Sequence, residues 1–179
     1  MNPHHLQDLL LQTLEETDWV VQAYDAAVAQ ATLTELRDEW REARARVAGH
    51  SRHLEEKLLE LDINPHDWTP GREIIYAHGA ALVRRMLVLG STAPHQDAEI
   101  GAARCLLDAL GRCQLQWQLV GRAAAAMPAD HGTPLQELHD RAYPDMREAA
   151  YSTRGWIGQL WIHRLGLEPC TSLAYRVAN

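Results

Sequence analysis

The feature that most constrains the fold is the spacing of apolar residues, which recur in steps of three and four along four long segments. Such steps place side chains on one face of an α-helix, whereas the alternation typical of a strand is nearly absent. The segments run over about 4–31, 33–61, 98–127 and 134–165, and they are called here predicted helices A, B, C and D. The pattern predicts an all-α fold.

The connections between the predicted helices are short, long and short. Thr32 has Glu35 three residues later, the spacing of a capping box, which predicts a tight turn between A and B. The long connection, 62–97, contains another helical pattern over about 72–89, and a loop over 128–134 joins C to D. A single long crossover is typical of ferritin-like bundles. We therefore predict a ferritin-like four-helix bundle with a crossover helix between helices B and C.

Two prolines and a glycine shape the prediction for the last helix. Pro134 suits the first turn of helix D, and Pro144 predicts either a kink or a short helix followed by a long one. Gly166 suits the C-terminal end of the helix. We assign residues 1–166 to one helical domain and residues 167–179 to a C-terminal tail that is irregular or docked along the bundle.

Composition excludes several classes of partner. The formal net charge is −7 and no basic block occurs, which argues against nucleic acid, because phosphate binding needs concentrated positive charge. The three cysteines form no Cys-x-x-Cys pair, which favours a reducing cytoplasm over a disulfide framework. The N-terminus lacks the pattern of a signal peptide, and no apolar run approaches the ~18 residues of a membrane span. We expect a cytoplasmic protein with no membrane partner.

The first hairpin, 9–65, carries a likeness to a known family. Its first helix has a late tyrosine, Tyr24, and its second ends in "GHSRHLEEKLLELDINP", a histidine followed by leucines and a proline-type break. In these features it resembles the bacterial ferritin-like stress proteins, the YciF/YciE-like group. Residues 72–97 look like the crossover helix of that group, and 98–157 resemble its third and fourth helices. The resemblance implies a ferritin-like fold and, as a setting, a stress response.

A di-iron site in such a bundle requires inward carboxylates on all four helices and Glu-x-x-His on two of them. No glutamate in this chain is followed by a histidine three residues later. Cys113 stands at the middle of the helix C seam, where a glutamate would be needed, and Glu15, Glu16 and Asp18 flank the seam of helix A without occupying it. Buried charge without counter-charge is costly. We therefore expect the di-iron centre to be lost, with no catalytic residue and no cofactor.

The candidate metal ligands that remain are weak ones: His50, Cys113 and Asp18. His50 lies on the apolar stripe of helix B, where a histidine is either a hydrogen-bonded core residue or a leftover metal ligand. With Cys113 it supplies two ligands of the four that a structural zinc takes, so a packed thiol is the competing interpretation of the cysteine. His78 in the crossover helix either lines a pocket above the bundle or lies at the edge of the core.

The preferred function is a non-catalytic bundle that acts through protein association as a homodimer. Late helix D has an apolar face wider than a seam, which either the tail or a second subunit covers; its residues are Trp156, Ile157, Leu160 and Trp161. Two alternatives stay open. One is a metal-binding protein with an atypical site at His50, and the other is a bundle that binds a small molecule beneath the crossover helix.

Overall fold

The computed structural model describes residues 3–167, and within this range it contains five α-helices and no strand. The prediction of an all-α fold is confirmed. The helices are α1 (Pro3–Gln30), α2 (Thr34–Glu60), α3 (Pro70–Thr92), α4 (His95–Ala125) and α5 (Ala129–Arg164).

Helices α1 and α4 each pack against three others, α1 against α2, α3 and α4, and α4 against α1, α3 and α5. Helix α5 packs against α4 and α2, while α3 packs against α1 and α4 and leaves one face outward. Cross-helix contacts show that α1 and α5 each run antiparallel to both α2 and α4, and that α3 runs parallel to α1. The pairs that establish these directions are Asp18–Ser51, Asp25–Arg44, Thr17–Cys113, Thr32–Glu99, His50–Asp145, Glu39–Trp156, Asp97–Arg164, Glu15–Arg72 and Gln30–Met86.

The predicted apolar seams form the core. On α2 and α4 the seam positions are almost all below one-tenth exposed, and each large apolar side chain buried in this way contributes about 1.5–3 kcal/mol. The buried seam residues of these two helices are Leu36, Trp40, Ala43, Val47, His50, Leu54, Leu58, Ala103, Leu106, Leu110, Cys113, Trp117, Val120 and Ala124.

The turn between α1 and α2 differs from the capping box predicted at Thr32. The N-cap of α2 is Leu33, which makes no side-chain cap. Thr32 instead donates its backbone N–H and its hydroxyl to the two carboxylate oxygens of Glu99, at 2.7 and 2.8 Å. Glu99 is only 2% exposed at the start of α4, so it requires these donors. A contact between helices that are distant in sequence therefore outcompetes the local cap.

Helix α5 begins five residues earlier than predicted. The prediction of a loop over 128–134 is wrong, because only residues 126–128 separate α4 from α5. The backbone N–H of Gly132 already donates to the carbonyl of Pro128 at 2.8 Å, as in a helix. The helix continues through Pro134 and Pro144, so the interpretation of a short helix followed by a long one is also wrong. Each proline lacks the backbone N–H and so removes one hydrogen bond from the helix. The packing of the helix against its neighbours can offset this loss.

The end of α5 follows the predicted stop. Gly166 adopts φ +66°, a left-handed conformation that glycine takes at little cost. Its N–H donates to the carbonyl of His163, and that of Leu167 donates to the carbonyl of Ile162. The predicted tail lies outside the described residues beyond Leu167, and Cys170 lies there with it.

Candidate functional site

His50 is a paired core residue. It is 9% exposed on α2, and its Nε2 atom lies 2.7 Å from Oδ2 of Asp145 on α5. The edge of its ring meets the indole of Trp117, with centroids 6.5 Å apart. The histidine thus links α2, α4 and α5 through contacts that need no metal ion.

Cys113 is a packed thiol. It is fully buried on α4, with its Sγ atom 3.6 Å from the hydroxyl oxygen of Thr17 on α1. Burial raises the pKa of this thiol to about 12, although the Thr17 hydroxyl and the Trp117 indole lower it in part. A thiol with this pKa stays protonated near neutral pH and is a poor nucleophile and a poor metal ligand.

Glu15 and Glu16 lie beside the seam of α1, as expected, but both are buried, which was not expected. Glu15 accepts a hydrogen bond from Arg72 Nε on α3 at 2.7 Å and another from Trp19 Nε1 at 2.9 Å. Glu16 is 1% exposed and accepts from Arg112 Nε on α4 at 3.0 Å. Burial raises the pKa of Glu16, and the Arg112 guanidinium opposes that rise.

Sequence reasoning missed these two glutamates because it gave α1 a single buried stripe. A helix with neighbours on three sides buries most of its circumference, so residues beside the seam are buried as well. Arg72 and Arg112 lie on the helices that cover Glu15 and Glu16, and no sequence spacing links them. A sequence signal did exist in the scarcity of basic residues along α1, since the described part of that helix contains no Lys or Arg.

Asp18 differs from its two neighbours because it has no cationic partner among the described residues. Its carboxylate accepts one hydrogen bond, from the hydroxyl of Ser51 on α2. Burial is the main cause that raises its pKa, and the negative charges of Glu15 and Glu55 add to it, whereas Ser51 and Arg72 lower it. Asp18 is therefore a half-buried carboxylate in a negative local field.

A groove opens beside Asp18. It has a volume of about 310 Å³ and lies between α1, α2, the connection 61–69 and the first turn of α3. His78, which was expected either to line a pocket or to lie at the edge of the core, is exposed on α3 and is not among the residues that line this groove. The inward position next to His78 is Gly79, where an added Cβ would lie 2.1 Å from the Trp19 indole. The groove is lined in part by Leu14, Val21, Ala48, Glu55 and Pro65.

The wide apolar face of late helix D is mostly used within the chain. Leu160 is buried in the core and Ile157 packs against it. The Trp156 indole donates to Glu39 on α2 at 2.8 Å, and the guanidinium of Arg104 lies over the ring of Trp161 at 5.6 Å. Intrachain packing covers most of this face and leaves Trp161 the most exposed of the four residues, at 39%.

The site is thus a set of interior carboxylates and hydrogen-bonding groups held by an all-α scaffold. Within residues 3–167, no three His, Cys, Asp or Glu side chains are grouped so that they could hold a metal ion. No helix in that range has the combined length and hydropathy needed to cross a membrane. Comparison with family models, curated proteins and solved structures finds no match to this chain.

Proposed function

We propose that this protein is a non-catalytic helical bundle of ferritin-like topology that has lost its di-iron centre and acts through protein association. The helix directions support the topology. Helices α2 and α4 both run opposite to α1 and α5, and α3 carries the chain between them, as in bundles with one long crossover. The likeness to the ferritin-like stress proteins adds a stress response as the setting.

The observation that carries the proposal is the way in which the interior carboxylates are neutralised. Glu15 and Glu16 pair with Arg72 and Arg112, so the positive charge that metal ions supply in a di-iron bundle comes here from guanidinium groups. Metal binding at these glutamates would displace both arginines, and the Arg72 guanidinium, which is 10% exposed, would then be a buried cation without its carboxylate, at a cost of several kcal/mol.

Elemental analysis tests this proposal. The protein is produced in medium supplemented with iron, manganese and zinc, and the metal content per chain is measured before and after dialysis. We expect well below one metal ion per chain, and the same content in His50→Ala. A near-stoichiometric content that falls in His50→Ala would overturn the proposal in favour of the atypical metal site.

The association surface that we assign is the outward face of α3. A helix that is apolar on both sides is normally covered on both sides. The inward side of α3 is covered by α1 and α4, and the outward stripe follows the same three- and four-residue steps. Ile74 is 59% exposed and Val88 is 50% exposed on this stripe. Ala77, Ala81 and Arg84 lie between them, and all three are exposed.

The occupant we assign is a second copy of the chain. The two alanines near the centre of the stripe permit close approach of two helices, and a two-fold axis makes the same patch face itself. An antiparallel pair with its axis near residues 78–79 brings Glu73 of each copy beside Arg84 of the other, since both residues lie on the same edge of the stripe. Such a pairing places opposite charges together around an apolar centre.

The dimer is tested by sedimentation velocity over a range of concentrations. We expect the native chain to be dimeric at micromolar concentration and Ile74→Glu to be monomeric. The matched control is Leu59→Glu, because Leu59 is 60% exposed on α2, and α2 is not among the helices that pack on α3. A monomeric native chain, or equal dissociation by both variants, would remove the assignment.

A cytoplasmic location is part of the proposal. Cys105 and Cys113 are both buried free thiols, and burial raises the pKa of each. Unpaired cysteines suit a reducing compartment. The alternative of a small-molecule-binding bundle has one observation in its favour, the groove beside Asp18.

A further inference from the structure

The groove beside Asp18 has the charge and shape of a binding site for a small cation. Its polar end is the Asp18 carboxylate, which receives one hydrogen bond from Ser51 and has no paired cation in the described part of the chain. Arg72 also borders the groove, but its Nε atom is paired with Glu15, and its Nη1 atom donates to the carbonyls of Pro65 and Asp67. The charge of Arg72 is therefore already largely balanced.

The second carboxylate at the groove is Glu55, one turn beyond Ser51 on α2. Its negative charge contributes to the raised pKa of Asp18, which places the two carboxylates in the same electrostatic field. Arg52 lines the groove too, but it lies on the exposed surface of α2, where its Nε atom donates to the carbonyl of Ala48 at 3.4 Å. A cation that enters the groove would therefore meet two carboxylates that have no ion pair in the described part of the chain, Asp18 and Glu55, with Arg52 as the opposing charge and His66 as a further lining side chain.

The walls of the groove favour an organic cation over a metal ion. Leu14, Val21, Ala48 and Pro65 supply apolar surface, and the groove volume of about 310 Å³ lies within the range of small-ligand pockets. A divalent ion needs more oxygen or nitrogen ligands than two carboxylates provide. An alkylammonium group, in contrast, needs one carboxylate for its charge and an apolar wall for its chain.

We infer that this groove binds a primary alkylamine, with the ammonium group at Asp18 and the hydrocarbon chain along the apolar wall of α1 and α2. The site is separate from the proposed dimer, because its residues lie at the α1–α2 side of the molecule and the dimer face is the outward side of α3. Either proposal can therefore fail without the other.

Keeping Asp18 ionised is unfavourable for the free protein, and this supports a binding role. Its raised pKa means that folding disfavours the charged carboxylate. Asn at this position keeps the size of the side chain and an acceptor for the Ser51 hydroxyl, but it removes the charge. A charged residue that lowers stability where a neutral one fits is typical of functional sites.

Isothermal titration calorimetry with n-hexylamine tests the inference. At neutral pH this amine is a cation, and we expect saturable binding with a dissociation constant on the order of 1 mM. Hexanoate and hexanol have similar chains without the positive charge, and we expect neither to saturate the site at the same concentrations. Asp18→Asn is expected to weaken hexylamine binding by roughly tenfold or more.

The controls separate the groove from general surface charge. Asp38→Asn removes an exposed carboxylate on α2, distant from the groove, and should leave binding unchanged. Glu55→Gln removes the second negative charge at the groove and keeps the size of the side chain. It should weaken hexylamine binding by a smaller factor than Asp18→Asn. Absence of saturable hexylamine binding, equal binding of hexanoate, or equal affinity in Asp18→Asn would overturn the inference.

Discussion

The pair formed by Glu15 and Arg72 allows a quantitative test of how this protein neutralises its interior charge. Both side chains are only 10% exposed, and their Oε2 and Nε atoms lie 2.7 Å apart. Arg72 also holds the connection before α3, since its Nη1 atom donates to the carbonyls of Pro65 and Asp67 and its guanidinium lies over the ring of Trp68 at 5.6 Å. Removing the guanidinium therefore leaves a buried carboxylate and two carbonyls without a cation.

Arg72→Met is the perturbation that isolates this effect, because methionine keeps much of the apolar stem. Breaking a buried ion pair from one side costs about 3–5 kcal/mol. Total domain stabilities are about 5–15 kcal/mol, so this one substitution should remove a large part of the stability. Glu15→Gln keeps an acceptor for only one of the two donors, Trp19 or Arg72, and removes the charge; because Arg72 still has the carbonyls of Pro65 and Asp67, it should cost less, about 1.5–3 kcal/mol.

Urea denaturation followed by far-UV circular dichroism measures both costs and that of the double variant. Because the second substitution removes the charge left unpaired by the first, the double variant should lose about 2 kcal/mol less than the sum of the single losses. Arg41→Met is the matched control, since the Arg41–Asp38 pair is about 60% exposed and should be worth less than about 1 kcal/mol. Additive losses, or a cost for Arg72→Met no larger than that of the control, would refute the reasoning.

Three further outcomes are expected. His50→Ala should lower the free energy of unfolding by about 2 kcal/mol, through loss of one charge-assisted hydrogen bond and ring packing, and an unchanged urea midpoint would contradict this. Asp18→Asn should be more stable than the native protein at pH 7, because the raised pKa of Asp18 shows that folding disfavours its charged form. This advantage should vanish as the pH falls below about 4, where the aspartate is protonated in both the folded and the unfolded state. A difference in stability that does not change with pH would contradict the prediction. Gly79→Ala should be strongly destabilised, since its Cβ would lie 2.1 Å from the Trp19 indole. In the control Gly111→Ala, the added Cβ meets nothing within 4 Å, so this variant should be as stable as the native protein or more stable by up to about 1 kcal/mol. Similar melting temperatures for the two variants would exclude a tight fit at Gly79.

The buried seam positions of α2 and α4 could be predicted from the sequence. The steps of three and four along α2 and α4 placed His50 and Cys113 on buried seams, and both are buried. The end of α5 at Gly166 followed from the conformational freedom of glycine. Helix boundaries were less accurate, because the loop signals around Pro134 were overridden by packing along α5.

The candidate sites depended on contacts that sequence spacing does not encode. His50 could be placed in the interior, but its partner Asp145 lies 95 residues away. The burial of Glu15 and Glu16 was missed for a related reason, since it depends on the arrival of α3 and α4 at two further sides of α1. Asp18 was named as a weak metal candidate, whereas the groove beside it and its lack of a cation became visible only after α1, α2 and the start of α3 were assembled.

By itself the sequence determined that the chain is helical and which stripe of each long helix is buried, because helical periodicity and apolar burial are local properties that recur every few residues. Only the tertiary structure decided which charges are neutralised inside the protein. Arg72 and Arg112 reach the glutamates of α1 across helix interfaces, while Asp18 is left without a cation. The physical reason is that the energy of a charge depends on its burial and on the atoms that surround it, and both are set by helix packing.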